Sequence, residues 1–264
     1  MGKNIFLLLI IVSLKLNGQV TGPVNGTLLI AGGGKLSDTI LMHFINVAGG
    51  KKAPIVVIPT ALGLPVYADK EGDFLRKLGA ENVKVLHTND KLIANTDTFA
   101  NQIREAKGVW FTGGRQWRLV DAYEGTKAEK ACWEVLENNG VIGGTSAGAT
   151  IQGDYLIRGD TKNNEILMGD HEKGFGFLKN VIIDQHVLAR NRAFDLPKVL
   201  EKLPSYLGIG LDENTAIVVK NDIFRVIGES YVLMYDKRTE NPFYLLKKGE
   251  QYDLNKRQII SLKK

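Results

Sequence analysis

From residue 27 onward, short apolar runs alternate with longer stretches whose apolar positions recur at helical spacing. Thr27-Leu28-Leu29-Ile30 reads as a strand that runs into Gly32-Gly33-Gly34, and Leu36, Ile40, Leu41, Phe44, Ile45 and Ala48 then trace one helical face. Ile55 to Ile58 is a second strand, ended by Pro59, and a helix over Tyr67 to Leu78 leads to a strand at Val83 to Leu86. A helix from Thr96 to Ala106, a strand from Val109 to Thr112, a helix from Lys127 to Glu137 and a strand at Val141-Ile142 continue the rhythm. Strands apolar on both faces and separated by helices specify a mostly parallel sheet covered on both sides, an α/β three-layer sandwich.

The rhythm changes after Ser146. Short strands are expected at Phe177-Leu178, Val181 to Ile183, Ile209 to Leu211, Ala216 to Val219, Phe224 to Ile227 and Tyr231 to Met234, with one helix from Ala193 to Leu203. A meander that completes or extends the sheet accounts for them, and the polar tail from Lys247 is expected to add little. No segment has a linker composition and no repeat is present, so residues 19–264 read as a single α/β hydrolytic domain.

The amino terminus has a different pattern. Met1 to Asn4 is a short positive segment, Ile5 to Leu14 is an almost unbroken apolar run, and Asn17-Gly18-Gln19 follows with small and polar residues. This is the layout of a secretory signal peptide over residues 1–18, with a run too short to span a bilayer comfortably. The expectation is export to the periplasm or the medium, with no stable membrane anchor after cleavage. The location of this leader also alters the charge. The 264 residues carry a net +5, but Lys3 and Lys15 lie in the leader with no acid beside them, which leaves 32 basic against 29 acidic residues. So small an excess excludes a case for nucleic acid. The single cysteine, Cys132, cannot form an internal disulfide, so the fold must be held by its core.

Candidate chemistry concentrates at Gly143-Gly144-Thr145-Ser146-Ala147-Gly148-Ala149, between a strand and a helix. Both the Gly-x-Ser-x-Gly spacing and that context fit a nucleophile elbow, which strains the Ser146 backbone and projects its hydroxyl from the sheet. Side chains at Gly144 or Gly148 would collide within the turn, and the Ala147 N–H points where an oxyanion would form. A serine needs a base. Of His43, His87, His171 and His186, the last stands directly after an apolar strand, at the end where active-site loops gather in an α/β sheet, and is the best candidate. The base needs an orienting carboxylate, and Asp212-Glu213 lies at a junction between two apolar runs; local reasoning leaves the choice between them open. Gly32-Gly33-Gly34 has neither dinucleotide-binding nor phosphate-loop spacing. No cofactor or metal is expected.

Four blocks together carry a resemblance: Thr112-Gly113-Gly114-x-Gln116, Gly144 to Ala149, Asp184-Gln185-His186 with Arg190 and Arg192 after it, and Gly210-Leu211-Asp212-Glu213-x-Thr215-Ala216. They resemble the signature blocks of cyanophycinases, in the serine peptidase family that also contains peptidase E, with a class I glutamine amidotransferase-like fold. The resemblance implies Ser146 as nucleophile, His186 as general base and Glu213 as its carboxylate partner. It also implies a second oxyanion donor from Gly113-Gly114, so that Gly114 joins Ala147, and a substrate pocket lined by Gln116, Asp184, Gln185, Arg190 and Arg192. The implied substrate is cyanophycin, cut in its poly-aspartate backbone to β-aspartyl-arginine, or another aspartyl or isoaspartyl peptide; a homodimer is implied as well. The remaining alternative is a secreted binding protein with an inactive pocket. Two positions depart from the family pattern: Asp195 stands where a third arginine is usual, and Arg115 where an acid is usual. A compensating swap across the pocket would preserve cyanophycin binding, and unrelated changes would point to a different aspartyl substrate.

Overall fold

The computed structural model describes residues 21–260, so the expected leader lies outside the described residues. The first half of the chain alternates as its hydrophobic pattern predicts: β1 (Thr27–Ala31), α1 (Asp38–Val47), β2 (Ile55–Ile58), α2 (Asp73–Arg76), β3 (Val83–Val85), α3 (Lys91–Ala94), α4 (Asp97–Arg104), β4 (Gly108–Phe111), α5 (Trp117–Tyr123), α6 (Lys127–Glu137), β5 (Val141–Thr145) and α7 (Ala147–Thr150). The second half holds β6 (Val181–Gln185), α8 (Asp195–Lys202), β7 (Leu207–Leu211), β8 (Thr215–Lys220), β9 (Ile223–Gly228), β10 (Val232–Tyr235), β11 (Tyr244–Leu246), β12 (Gln251–Asp253) and β13 (Gln258–Ile260). Capping sets several helix starts: Thr96 accepts from the Phe99 N–H before α4, and Thr126 from the Glu129 N–H before α6.

A nine-stranded sheet runs in the order β13-β12-β9-β8-β1-β5-β4-β2-β3. From β1 to β3 every pairing is parallel, with β1 matched to β5 from Thr27 opposite Val141 to Ala31 opposite Thr145. From β1 outward through β8, β9, β12 and β13 the pairing is antiparallel. The central strands are buried on both faces. Leu28 and Ile30 enter the larger core, whereas Leu29 and Ala31 pack under α1 with Phe44 and Trp110, as the two-residue period of a strand requires.

The meander expected after Ser146 divides in two. β8 and β9 extend the main sheet, but β11-β10-β7-β6 form a second, four-stranded sheet. The same alternation explains it. Val181, Ile183, Val232 and Met234 face the larger core, while Ile182, Leu233 and Tyr235 pack against Leu196, Val199 and Leu200 of α8. These strands have two apolar faces, and a second layer supplies the second partner. Other expectations need correction. Phe177 and Leu178 are buried core residues outside any strand. Only Asp73–Arg76 of the Tyr67 to Leu78 stretch is α-helical, after a short 3-10 turn at Asp69–Gly72. The tail contributes β12 and β13, and its Tyr252 and Leu254 are buried.

Candidate active site

Every residue proposed for chemistry lies at or just beyond the carboxyl end of a strand, the position at which open α/β sheets assemble their sites. Ser146 follows β5 with φ 55° and ψ −113°, a left-handed conformation that is unfavourable for serine and marks a strained elbow. Gly148 is required by close approach: a Cβ there would stand 2.1 Å from the Phe111 carbonyl oxygen. His186 follows β6, also with positive φ, and Glu213 follows β7. The His186 Nε2 lies 3.0 Å from the Ser146 Oγ, and its Nδ1 lies 2.6 Å from the Glu213 Oε1.

The two carboxylates that local reasoning left open, of which the resemblance implied Glu213, differ in direction. Asp212 turns away, accepting from the Leu188 and Ala189 N–H groups at 3.1 and 2.9 Å and from the Ser230 hydroxyl at 2.6 Å, so it pins the turn that follows His186. Glu213 alone of the two reaches the imidazole. Burial pushes the His186 pKa below its ordinary value, the bond to Glu213 opposes this, and the positive charges of Arg190 and Arg192 push it further down. The ring is therefore poised neutral, able to accept a proton from Ser146.

The Gly32-Gly33-Gly34 turn joins these pieces. Successive carbonyls of Ala31, Gly32 and Gly33 accept from the backbone N–H groups of Ser146, His186 and Asn214, each at 3.0 Å. Gly33 has φ 115°, and a Cβ on it would stand 2.2 Å from the His186 ring; one on Gly34 would stand 2.6 Å from the Glu213 carboxylate. The sequence showed a glycine turn after a strand, but not that three distant blocks would be laced to it.

The expected oxyanion and pocket residues divide. Ala147 opens α7 beside Ser146, with its N–H among those a helix start leaves without an intrahelical acceptor. In the Gly113-Gly114 turn, a Cβ on Gly113 would stand 3.4 Å from the Ser146 Cβ, while Gly114 packs with φ 136° on the Ala61 carbonyl. Gln185 and Arg192 are buried next to His186, and each keeps a polar atom, the Gln185 Oε1 and the Arg192 Nη1, without a partner. Arg192 also donates to Glu165, and Arg190 is exposed. Gln116 is buried and spends its amide on the Ile157 and Arg158 carbonyls, which ties down the segment beyond α7.

Asp184 is a correction. It was expected to line the pocket, but it is fully buried and held by Arg158, whose Nε and Nη2 donate to its two oxygens at 3.0 and 3.1 Å. Arg158 also donates to Asp195 at 2.7 Å and to the Asn164 carbonyl. Nothing in the sequence singles out this arginine, because its partners lie 26 and 37 positions away. The two charge departures do not compensate each other: Asp195 pairs with Arg158 and Lys198, and Arg115 donates to the Asp160 carbonyl. Of the other histidines, His171 is clamped between Asp121 at 2.8 Å and Asp170 at 3.0 Å, and His87 contacts the Thr60 hydroxyl. Among the described residues, no group of three or more His, Cys, Asp or Glu side chains could hold a metal ion.

A hydroxyl, an imidazole and a carboxylate in series on the strand ends of an α/β sheet are the equipment of a serine hydrolase. The chain belongs to peptidase family S51, whose family model matches residues 28–227, and is a serine-type peptidase. It is 34% identical over 203 residues to the cyanophycinase of Geminocystis herdmanii, covering 75% of this chain and 74% of that one. It is 33% identical over 208 residues to the cyanophycinase of Synechococcus elongatus, covering 75% of this chain and 63% of that one. A peptidase from an acI-B1 Actinobacterium has the same fold, with a TM-score of 0.66 at 24% identity, over 88% of this chain and 98% of that one. A putative peptidase E protein from Listeria monocytogenes matches with a TM-score of 0.57 at 15% identity, over 78% of this chain and all of that one. The fold is class I glutamine amidotransferase-like, as the sequence blocks implied.

Proposed function

We propose that this peptidase hydrolyses amide bonds of aspartyl or isoaspartyl substrates, with Ser146 as nucleophile, His186 as general base and Glu213 as the group that orients the imidazole. The observation that carries the reading is the relay of 3.0 and 2.6 Å through the His186 ring. His186 takes the Ser146 proton as the hydroxyl oxygen attacks the carbonyl carbon. The tetrahedral anion is met by backbone N–H groups at Ala147 and Gly114, and collapse expels the amine with the proton from His186. Water then repeats the sequence on the acyl-enzyme and frees Ser146. Arg192 and Gln185, each with a buried unpartnered polar atom, are suited to a carboxylate and an N–H of the acyl half. Arg190 adds positive charge on the same side.

The cyanophycinase relatives make cyanophycin the first polymer to test. The independent fates of Arg115 and Asp195 favour a second reading, an aspartyl or isoaspartyl dipeptidase. Incubation with cyanophycin granules and with α- and β-aspartyl dipeptides separates them. Release of β-aspartyl-arginine from granules supports the first, and cleavage of dipeptides alone supports the second. Ser146→Ala is expected to lower either activity by at least about 10³-fold, and a variant as active as its parent overturns the assignment. Export on the apolar run Ile5 to Leu14 belongs to the same proposal; retention of the full-length chain in the cytoplasm of an expressing cell would refute it.

A further inference from the structure

Two carboxylates stand side by side after β7, and only Glu213 reaches the imidazole. Asp212 is buried and uses both of its oxygens: Oδ1 accepts from the Leu188 and Ala189 N–H groups at 3.1 and 2.9 Å, and Oδ2 accepts from the Ser230 hydroxyl at 2.6 Å. The turn it holds begins at His186. The Arg190 N–H closes on the His186 carbonyl at 2.9 Å, and the Arg192 N–H on the Val187 carbonyl at 2.7 Å. His186 itself has φ 55°, and a residue other than glycine stays in that left-handed region only where its surroundings over-determine it. The Gly32 carbonyl fixes the His186 N–H on one side, and Asp212 fixes the turn on the other.

Ser230 reaches the other carboxylate as well. It lies between β9 and β10, just past the residues 28–227 that the family model matches. Its backbone N–H donates to the Thr215 Oγ1 at 2.8 Å, and that fully buried hydroxyl donates to the Glu213 carbonyl at 3.2 Å. Backbone bonds run alongside, from the Asp212 N–H to the Tyr231 carbonyl at 3.2 Å and from the Glu229 N–H to the Asn214 carbonyl at 3.0 Å. The two turns meet without a gap, because a Cβ on Gly228 would stand 2.3 Å from the Asn214 carbonyl oxygen. Ser230 is thus bonded through Asp212 to the turn that carries the imidazole, and through Thr215 to the backbone of the residue that orients it.

We propose that Asp212 and Ser230 are positioning residues, a role that rests on the hydrolase reading above: together they hold the His186 ring between Ser146 and Glu213. Neither side chain is bonded to Ser146 or to the imidazole, so both act through the backbone of the turns. A misplacement of about 1 Å costs on the order of 10²-fold in rate, which makes such support measurable. The bonds of Asp212, not its charge, carry the effect. An asparagine oxygen at this position can accept from the same two N–H groups, and its amide can donate to the Ser230 oxygen.

The test follows the rate at which an alkyl fluorophosphonate modifies Ser146, a reaction that needs an activated serine, together with kcat and KM on the aspartyl substrate that the parent cleaves. Asp212→Ala is expected to lower kcat and the modification rate by about 10²-fold with KM changed by less than about threefold, and Asp212→Asn to recover most of both. Ser230→Ala removes one oxygen and keeps the backbone bond to Thr215; it is expected to lower both rates by about tenfold, and to add nothing in the Asp212→Ala background, because the two act as one unit. Parental rates in Asp212→Ala, a rise in KM with kcat kept, equal losses in the alanine and asparagine variants, or additive losses in the double variant overturn the proposal. If Asp212→Ala does not fold, Ser230→Ala decides: the tenfold loss supports the role, and the parental rate overturns it. A parent inert to both fluorophosphonate and aspartyl substrates overturns the hydrolase reading instead. The positioning is then read from the low-field proton resonance of the His186 Nδ1–H bonded to Glu213, where loss in the alanine variants with retention in Asp212→Asn supports it and an unchanged signal throughout refutes it.

Discussion

His186 meets opposing influences on one ring. Its side chain is 6% exposed against 40% for Glu213, so the buried partner is the imidazole and the carboxylate remains open to solvent. Burial disfavours the imidazolium, Glu213 favours it, and Arg190 and Arg192 disfavour it. The net displacement is downward, which keeps the base neutral to lower pH than an ordinary histidine, whose value is 6.5. Activity carried by a neutral imidazole rises with pH through that pKa and is lost below it. Removing a positive charge from the ring's surroundings raises the pKa. Arg190→Ala is therefore expected to move the acidic limb of kcat/KM to higher pH, by an amount that shrinks as salt is added, because Arg190 is exposed and its field is screened. A loss of substrate binding alone would lower kcat/KM at every pH without moving the limb, so the pH profile separates the two effects. A limb that stays in place would show that Arg190 does not act on His186.

At the scale of elements, the segment between α7 and β6 organises one wall of the site with no regular secondary structure. It presents Arg158 to Asp184 and Asp195, Glu165 to Arg192, and the Ile157 and Arg158 carbonyls to Gln116. Such a wall is invisible to periodicity, because each of these contacts joins the segment to a partner outside it, at Gln116, Asp184, Arg192 or Asp195. Strands β1, β2, β4 and β5, by contrast, were legible because each is apolar on both faces, and α6 was legible to the residue because its cap and its apolar stripe agree. Ser146 was legible for a local reason, the glycines its turn requires. The choice of Glu213 over Asp212 came only from the resemblance and from no local pattern, since it depends on which of two adjacent side chains faces β6. Arg158 is the element-scale test. Arg158→Met leaves Asp184 buried and without its partner, a change that typically costs about 3–5 kcal/mol, and the denaturant midpoint is expected to fall accordingly. Adding Asp184→Asn removes the stranded charge and is expected to restore part of the loss. A midpoint equal to the parent's in the single variant would mean that the pair is not buried in solution.

Across the whole molecule, chemistry and support occupy different parts of the sheet. The strands that bear the site, β1, β4, β5, β6 and β7, belong to the parallel part of the main sheet and to the second sheet, whereas the antiparallel edge formed by β9, β12 and β13 bears none of the residues proposed for catalysis or substrate binding. A polar tail gave no sign of this edge, because three-residue strands carry too little pattern to distinguish from loop. Its contribution is nonetheless physical. Tyr252 stacks on Phe224 with ring centroids 5.5 Å apart, Tyr252 and Leu254 are at most 3% exposed, and the Leu254 N–H closes onto the Asp222 carbonyl at 2.7 Å. Burying two such side chains is worth about 3–6 kcal/mol, against a total stability for a domain of about 5–15 kcal/mol. Ending the chain at Lys247 would forfeit that contribution and leave β9 as an open edge with Phe224 uncovered, a template for pairing between copies. The truncated protein is expected to lose a large share of its denaturant midpoint and to aggregate at concentrations where the parent stays monodisperse or forms a discrete oligomer. The hydrolytic residues are untouched by the cut, so any soluble fraction is expected to keep the parent's KM, and a truncated chain as stable as the parent would show that the edge strands add nothing.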